Sequence, residues 1–319
     1  MKKDDIKNKI ISYHKADNSE FALVTIAIGE KYRKSWETYS KDNWIQYCKR
    51  YNINLYVVVE DLISKEHPKW KKATWQKLLL GNALKVFSPA SKLICYIDTD
   101  FLISPLAPNV FNSYTDHSSI GLVSQVKNLP YDLNMIKRVI SYGRHNYYNQ
   151  NYPLDSAIFM QPEDIFAYHG FPIFDDYACA GFFVFAVNNH SEMMYKWFFE
   201  VETNYDSLTG GDEPFFNSLV QSWGKIAWLP YKFHALWIYE MAGKYPFLYI
   251  NQAENSQHVV ECIKSSLMQN HFLHFAGSWG ESEMIKDFCR QTNFPFFEDG
   301  FKQYLNTAVT GSPKGMIRP

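Results

Sequence analysis

Asp98-Thr99-Asp100 directly follows the apolar run at 93–97 (LICYI). In extended backbone, residues i and i+2 point to the same side, so the spacing predicts two carboxylates side by side at the end of a buried strand. Adjacent carboxylates repel, and the pair needs a cation or a raised pKa. A hard divalent ion fits, and it can share its oxygen ligands with a diphosphate. A capping Asp beside a solvated Asp would leave the same letters. Far downstream, the segment 270–279 (NHFLHFAGSW) offers His271 and His274. Imidazole beside two carboxylates suits Mn²⁺ better than a pure oxygen site does; a hydrogen-bonded structural histidine is the plainer alternative. A third group is Gly210-Gly211-Asp212-Glu213-Pro214-Phe215-Phe216-Asn217. Its simple reading is a helix start, with a Gly-Gly breaker, Asp212 as N-cap and Pro214 in the first turn. Its chemical reading sends Asp212 or Glu213 into the same cleft, as a nucleophile or as a partner for a cationic transition state.

These groups need elements to hold them. Residues 21–28 (FALVTIAI), 55–59 (LYVVV) and 93–97 read as strands buried on both faces. The segments 31–51 and 69–87 between them read as helices, the second stopped by Ser88-Pro89. That alternation is the mark of a parallel sheet with right-handed crossovers, whose ligands gather at the carboxyl ends of the strands. Further strands are expected at 120–126, 180–187, 226–229 and 270–275, and helices at 191–204 and 212–223. Residues 1–20 read as a polar arm, 128–176 as loops and short helices, and the tail from Thr307 as mobile. The chain of 319 residues balances 32 Lys and Arg against 33 Asp and Glu. No cationic excess is left to grip nucleic acid. The five cysteines are scattered and never in a CxxC spacing, so reduced thiols are expected rather than a disulfide or zinc framework. No apolar h-region follows the first lysines and no run reaches a membrane span, so a cytoplasmic protein is expected, peripheral to a membrane at most.

The order of motifs over about residues 21–280 resembles the GT-A fold glycosyltransferases, which use a nucleotide sugar and a divalent metal. Carrying the resemblance are the strand ending in Asp98-Thr99-Asp100, the small-residue strand Ala180-Gly181-Phe182-Phe183-Val184-Phe185, Asp212-Glu213-Pro214-Phe215-Phe216-Asn217 and His274-Phe275-Ala276-Gly277. The Asp pair and the His motif are similar to retaining family 8, the glycogenin and bacterial galactosyltransferase type. The Asp-Glu segment, with Trp228-Leu229-Pro230-Tyr231 after it, is similar to family 6, the histo-blood-group type. Cys179 stands where family 8 tends to have Asn, and no Lys follows Gly277 closely. The resemblance implies an α/β fold with a mixed, mainly parallel central sheet flanked by helices in a single domain. It divides the chain into an N-terminal arm at 1–20, a catalytic domain at 21–290 and a tail at 291–319. Within the catalytic domain, 21–115 is the nucleotide-binding half and 116–290 the acceptor-binding half. It implies Mn²⁺ or Mg²⁺ on Asp98, Asp100 and His274. A nucleotide-sugar donor, expected to be a UDP-sugar, would lie against Tyr32, Lys77, Asp98 and Gly277. Asp212 would hydrogen-bond the donor sugar and Glu213 would face the anomeric carbon.

The expected reaction is sugar transfer to a glycan or other hydroxyl acceptor, with retention. Inversion with Asp212 or Glu213 as base is the nearest variant. An aspartyl-phosphate phosphatase also carries Asp-x-Asp after an apolar strand, and an inactive sugar-binding scaffold would carry it for structure alone. Aromatic residues reach 17% of the chain. Tyr147, Tyr148, Tyr152, Trp237, Tyr239 and Trp279 are expected to rim the cleft, where flat faces with polar tips suit sugar rings.

Overall fold

The computed structural model describes residues 3–148, 156–202, 211–250, 256–277 and 280–292. Its strands are β1 (Ile10–His14), β2 (Phe21–Ile26), β3 (Asn54–Val58), β4 (Leu93–Ile97), β5 (Phe101–Ile103), β6 (Ile120–Leu122), β7 (Phe182–Ala186), β8 (Ile226–Trp228), β9 (Ala235–Leu236) and β10 (Phe272–His274). Seven of them form one mixed sheet in the order β1-β3-β2-β4-β7-β6-β8. The pairs β2–β3, β2–β4 and β6–β8 are parallel, while β1 and β7 run against their neighbours. The mainly parallel sheet flanked by helices is the α/β architecture expected above.

The apolar runs are continuous because both faces of the sheet are covered. Val24, Ile94, Tyr96, Phe183 and Phe185 face one side, packed with the helices Leu80–Phe87, Val187–Glu200 and Glu213–Trp223. Leu23, Cys95, Ile97, Phe182 and Val184 face the other, against Trp36, Trp44, Tyr47 and Cys48. The alternation carries a consequence for the site. Asp98, one step past Ile97, continues the side of Ile94 and Tyr96.

Several elements differ from expectation. Residues 10–14 are no loose arm: β1 lies antiparallel on β3 and closes that edge, with Ile6 and Ile10 buried. The single helix expected over 31–51 is two, Glu30–Tyr39 and Lys41–Tyr51, broken at Ser40. The segment 69–87 opens with a 3₁₀ turn at Ala73–Leu79 before its α-helix. Within 128–176 lies a fifteen-residue helix, Leu133–Tyr147, whose N-cap Asp132 accepts from the N–H groups of Asn134 and Met135. All five cysteines are free thiols. The tail from Thr307 lies outside the described residues.

A second, three-stranded sheet, β5-β10-β9, stands beyond the carboxyl end of β4. The helix Lys41–Tyr51 occupies the free edge of β5 with side chains in place of a strand. Asn43 donates to the Ile103 carbonyl and accepts from its N–H, both at 2.7 Å, and Trp44 Nε1 donates to the Phe101 carbonyl at 2.9 Å. Ser40 Oγ donates to the Thr99 carbonyl at 3.1 Å. The turn that carries the two aspartates is thus fixed from outside the sheet.

Candidate active site

β4 ends at Ile97, and residues 98–100 turn into β5 rather than continuing as strand. The carboxylates therefore converge through a turn, not through strand alternation. The Asp98 N–H donates to the Gly181 carbonyl at 2.9 Å, and the Tyr96 hydroxyl donates to Asp98 Oδ1. The Asp100 carbonyl accepts from the Phe275 N–H at 2.9 Å. β10 pairs antiparallel with β5, His274 opposite Phe101. That register brings His274 Nε2 to 3.1 Å from Asp100 Oδ1 and stacks its ring on Phe101, centroids 4.1 Å apart.

One ligand atom from each of Asp98, Asp100 and His274 lies within 4.8 Å of the others. Two hard oxygens and one imidazole nitrogen suit Mn²⁺, and Mg²⁺ less well. Gly181 keeps the space open. A Cβ there would lie 2.6 Å from His274 Cε1 and 2.8 Å from Asp98 Oδ2. The three residues fit a divalent cation. His271 is not among them. It precedes β10, and its ring packs near Phe233 while burial lowers its pKa to about 4.

Cys179, His234 and His274 also lie within 4.8 Å of one another. This set is the poorer ligand site. His234 Nε2 and His274 Nδ1 are 2.8 Å apart, a hydrogen-bond separation. Two nitrogens sharing one ion at ~2.0–2.1 Å each stand farther apart than that in a tetrahedral site. Burial, and next the Glu213 carboxyl, hold the Cys179 thiol well above its usual pKa, and only a thiolate is a good ligand.

Lys77, Asp212 and Glu213 lie on the side of Tyr96 and Asp98. Lys77 Nζ is 2.8 Å from Asp212 Oδ2 and 2.8 Å from the Ala180 carbonyl. Burial pulls the Lys77 ammonium down, yet the Asp212 and Asp98 carboxylates outweigh it and hold its pKa above the ordinary value. Burial raises the Asp212 carboxyl, partly offset by Lys77. Asp212 is thus spent on Lys77 and makes no side-chain cap to the helix Glu213–Trp223, contrary to the capping role its position suggests; Pro214 does occupy the first turn. Glu213 Oε2 accepts from the Ala180 N–H at 3.1 Å. Burial pushes its carboxyl up to about 7, although the Ala180 N–H acts in the opposite direction.

The remaining expected residues lie apart from this cluster. Tyr32 is 61% exposed in the helix that follows the carboxyl end of β2, on the same sheet edge as Asp98. Gly277, three residues past β10, has φ +93°, which glycine alone adopts without strain. Of the expected aromatic rim, Trp237 and Tyr239 are core residues, 1% and 3% exposed, because residues 237–244 form a helix packed into the interior. Tyr148 packs against Tyr249, and Tyr147 is exposed at the end of its helix. Tyr152 and Trp279 fall outside the described residues.

Four residues to which the motifs gave no role hold the site together. Tyr96 orients Asp98; its signal was its place two residues earlier on one strand face. Gly181 provides the close approach. Asn217, fully buried, donates to the Ala178 carbonyl at 2.7 Å and accepts from the Ala178 N–H at 2.8 Å. His234 backs His274 and left no signal, since its role depends on β9 lying beside β10.

A cleft of about 820 Å³ opens beyond the carboxyl ends of β6 and β8, lined among others by Ser124, Lys127, Trp228, Tyr231 and Lys232. Its Ser124 wall pairs with Ala178, one residue before Cys179.

No family model matches the chain, and no curated protein matches it. Among solved structures it is similar to a glycosyltransferase involved in glycosylation of the major capsid of PBCV-1, at TM-score 0.49 and 8% identity, over 85% of this chain and 98% of that one. It is similar to the galactosyltransferase LgtC at TM-score 0.40 and 12% identity, over 88% and 99%. It is similar to the glycosyltransferase GlyE of Streptococcus pneumoniae at TM-score 0.44 and 10% identity, over 94% of this chain but 66% of that longer one. Among the described residues, no helix is long and apolar enough to cross a membrane.

Proposed function

We propose that this chain is a glycosyltransferase of the GT-A type, taking a nucleotide-diphosphate sugar and Mn²⁺ or Mg²⁺. The observation that carries the reading is the meeting of Asp98, Asp100 and His274. Segments 174 residues apart in the chain bring two carboxylates and an imidazole within 4.8 Å beyond the carboxyl ends of the parallel strands β2 and β4, where ligands bind in open α/β sheets. When bound, the cation neutralises the charge of a diphosphate leaving group as a Lewis acid. The chain's own residues supply the rest. Asp98, held by Tyr96, and Asp100, held through β5, fix the donor side. Lys77 holds and aims Asp212, so that it can accept from donor-sugar hydroxyls. Glu213 offers a carboxyl beside the developing positive charge on the anomeric carbon. The cleft behind Ser124 is assigned to the acceptor, with Trp228 as a stacking surface. UDP is the base and diphosphate proposed for the donor, and retention the stereochemical course.

Inversion has one observation in its favour. A carboxyl pushed up to about 7 is well matched to a general base working near neutrality. Following the product anomer by NMR decides: an α-linked product from an α-linked donor means retention.

Binding tests the main reading. Mn²⁺ with UDP should raise the melting temperature by mass action, and UDP without a cation should not. Asp100→Ala should remove that rise while leaving the metal-free melting temperature within a few degrees of wild type. No shift with any nucleoside diphosphate and cation would sink the reading.

A further inference from the structure

The His274 ring is held at three points, and Cys179 Sγ stands 3.9 Å from its Nδ1. Its Nε2 faces Asp100, its plane lies on Phe101, and its Nδ1 faces His234 Nε2 at 2.8 Å. His234 is wholly buried, between the rings of Phe101 and Phe182 at 5.2 and 5.5 Å. Its other nitrogen, Nδ1, has no hydrogen-bond partner among the described residues. A buried polar side chain with a single bond, aimed at one atom of the candidate site, calls for an account.

We infer that His234 is a positioning residue that sets the orientation and the proton-bearing nitrogen of His274 for cation binding; the inference rests on the proposed reading of Asp98, Asp100 and His274. The chemistry follows from which nitrogen must be bare. With no cation, His274 Nε2–H donates to Asp100, so Nδ1 is an acceptor and His234 Nε2–H donates to it. To hold a cation, His274 Nε2 would have to be bare, its single ring proton moved by tautomerisation to Nδ1. His234 Nε2 would then have to accept from Nδ1–H, which places the one ring proton of His234 on its own Nδ1. Only a group able both to donate and to accept along the same line serves the two states. Imidazole does so through its tautomers. A carboxamide does so by turning its N–H₂ or its C=O toward His274. A phenyl ring does neither. Partners at the second nitrogen of metal-bound histidines typically govern metal affinity by about 10–100-fold.

Two variants separate positioning from packing. His234→Phe keeps the ring volume between Phe101 and Phe182 and removes both hydrogen-bonding roles. His234→Gln restores both. Free Mn²⁺, read by electron paramagnetic resonance during titration of the protein without nucleotide, gives the dissociation constant. The metal-free melting temperature and the ¹⁵N shifts of the His274 ring complete the measurement. The expected result is a His234→Phe affinity about 10–100-fold weaker and a His234→Gln affinity within about threefold of wild type. The His274 ¹⁵N shifts should show the Nε2–H form without cation in wild type and a mixture in His234→Phe. Equal Mn²⁺ affinity in wild type and His234→Phe overturns the inference while leaving the cation site standing. So does a loss in His234→Phe that His234→Gln fails to restore. If His234→Phe does not fold, wild type against His234→Gln and His234→Leu decides by the same criteria. Failure of wild type itself to bind Mn²⁺ overturns the reading of the three ligands, and the inference with it.

Discussion

Glu213 carries the site's clearest electrostatic signature. Its carboxyl belongs to the first turn of a helix, where a negative charge would ordinarily be welcome. Burial prevails nonetheless and moves its pKa from 4.5 to about 7. The sign of the consequence is definite. Between those two values the folded chain holds a proton that the unfolded chain has already released, so this group's contribution to stability is present at low pH. It is lost as pH rises through the folded value. Glu213→Gln removes that dependence. Urea unfolding at pH 5, 6 and 7 should therefore show the variant gaining on wild type, by about 1 kcal/mol per pH unit at most, since Glu213 keeps some contact with solvent. Parallel pH profiles for the two proteins would count against the shifted carboxyl. The motif Asp212-Glu213 was visible in the letters; the pairing of Asp212 with Lys77 was not. Which carboxylate meets Lys77 depends on where Ala180 falls, and that is a matter of packing between β7 and the helix that begins at 213.

At the scale of elements, the site is a junction of short segments, each tied to the next by backbone hydrogen bonds from side chains. Asn217 is the knot between two of them. It reaches from the helix Glu213–Trp223 to both polar groups of Ala178, and its amide also donates to the Glu213 carbonyl at 2.9 Å. The segment it holds carries the Ala180 N–H that faces Glu213 and the Gly181 on which Asp98 and His274 close. Asn217→Ala leaves a buried N–H and a buried C=O without their partner, at a cost of about 1–3 kcal/mol for each unpaired group. Denaturant unfolding should show a loss of that size, and kcat should fall by more than the folded fraction explains, because the segment loses its register. A variant of wild-type stability would refute this role. The strands around this junction were legible because β2, β3, β4 and β7 are apolar on both faces and leave an unbroken run of letters. β1, β5 and β9 were not. β1 is a polar edge strand that shows its partner only one buried face, and β5 and β9 are too short to establish a period. His234 went unseen with β9, since its meaning arises only when β9 lies parallel to β10.

Across the whole molecule, the carboxyl ends of the parallel strands divide the work. β2 and β4 lead to Tyr32 and the carboxylates, while β6 and β8 lead to the cleft of about 820 Å³. The aromatic surplus has addresses other than several of those expected. Trp237 and Tyr239 fill the interior because the helix that carries them packs into it. Trp228, at the end of β8, is the aromatic that the cleft exposes, 40% open to solvent. It was read only as part of a motif, yet its place at the end of an edge strand leaves its face free. If this cleft holds the acceptor, Trp228→Ala removes a stacking surface worth about 0.5–1.5 kcal/mol. The acceptor KM should rise about two- to tenfold. The dissociation constant for UDP with Mn²⁺ should not change, because the donor residues lie on other strands. The melting temperature should hold as well, since an exposed side chain contributes little burial. Steady-state kinetics with acceptor varied at saturating donor reads the first, and calorimetry reads the second. A rise in the donor's dissociation constant, with the acceptor KM unmoved, would place the donor in this cleft and reverse the assignment of the two halves.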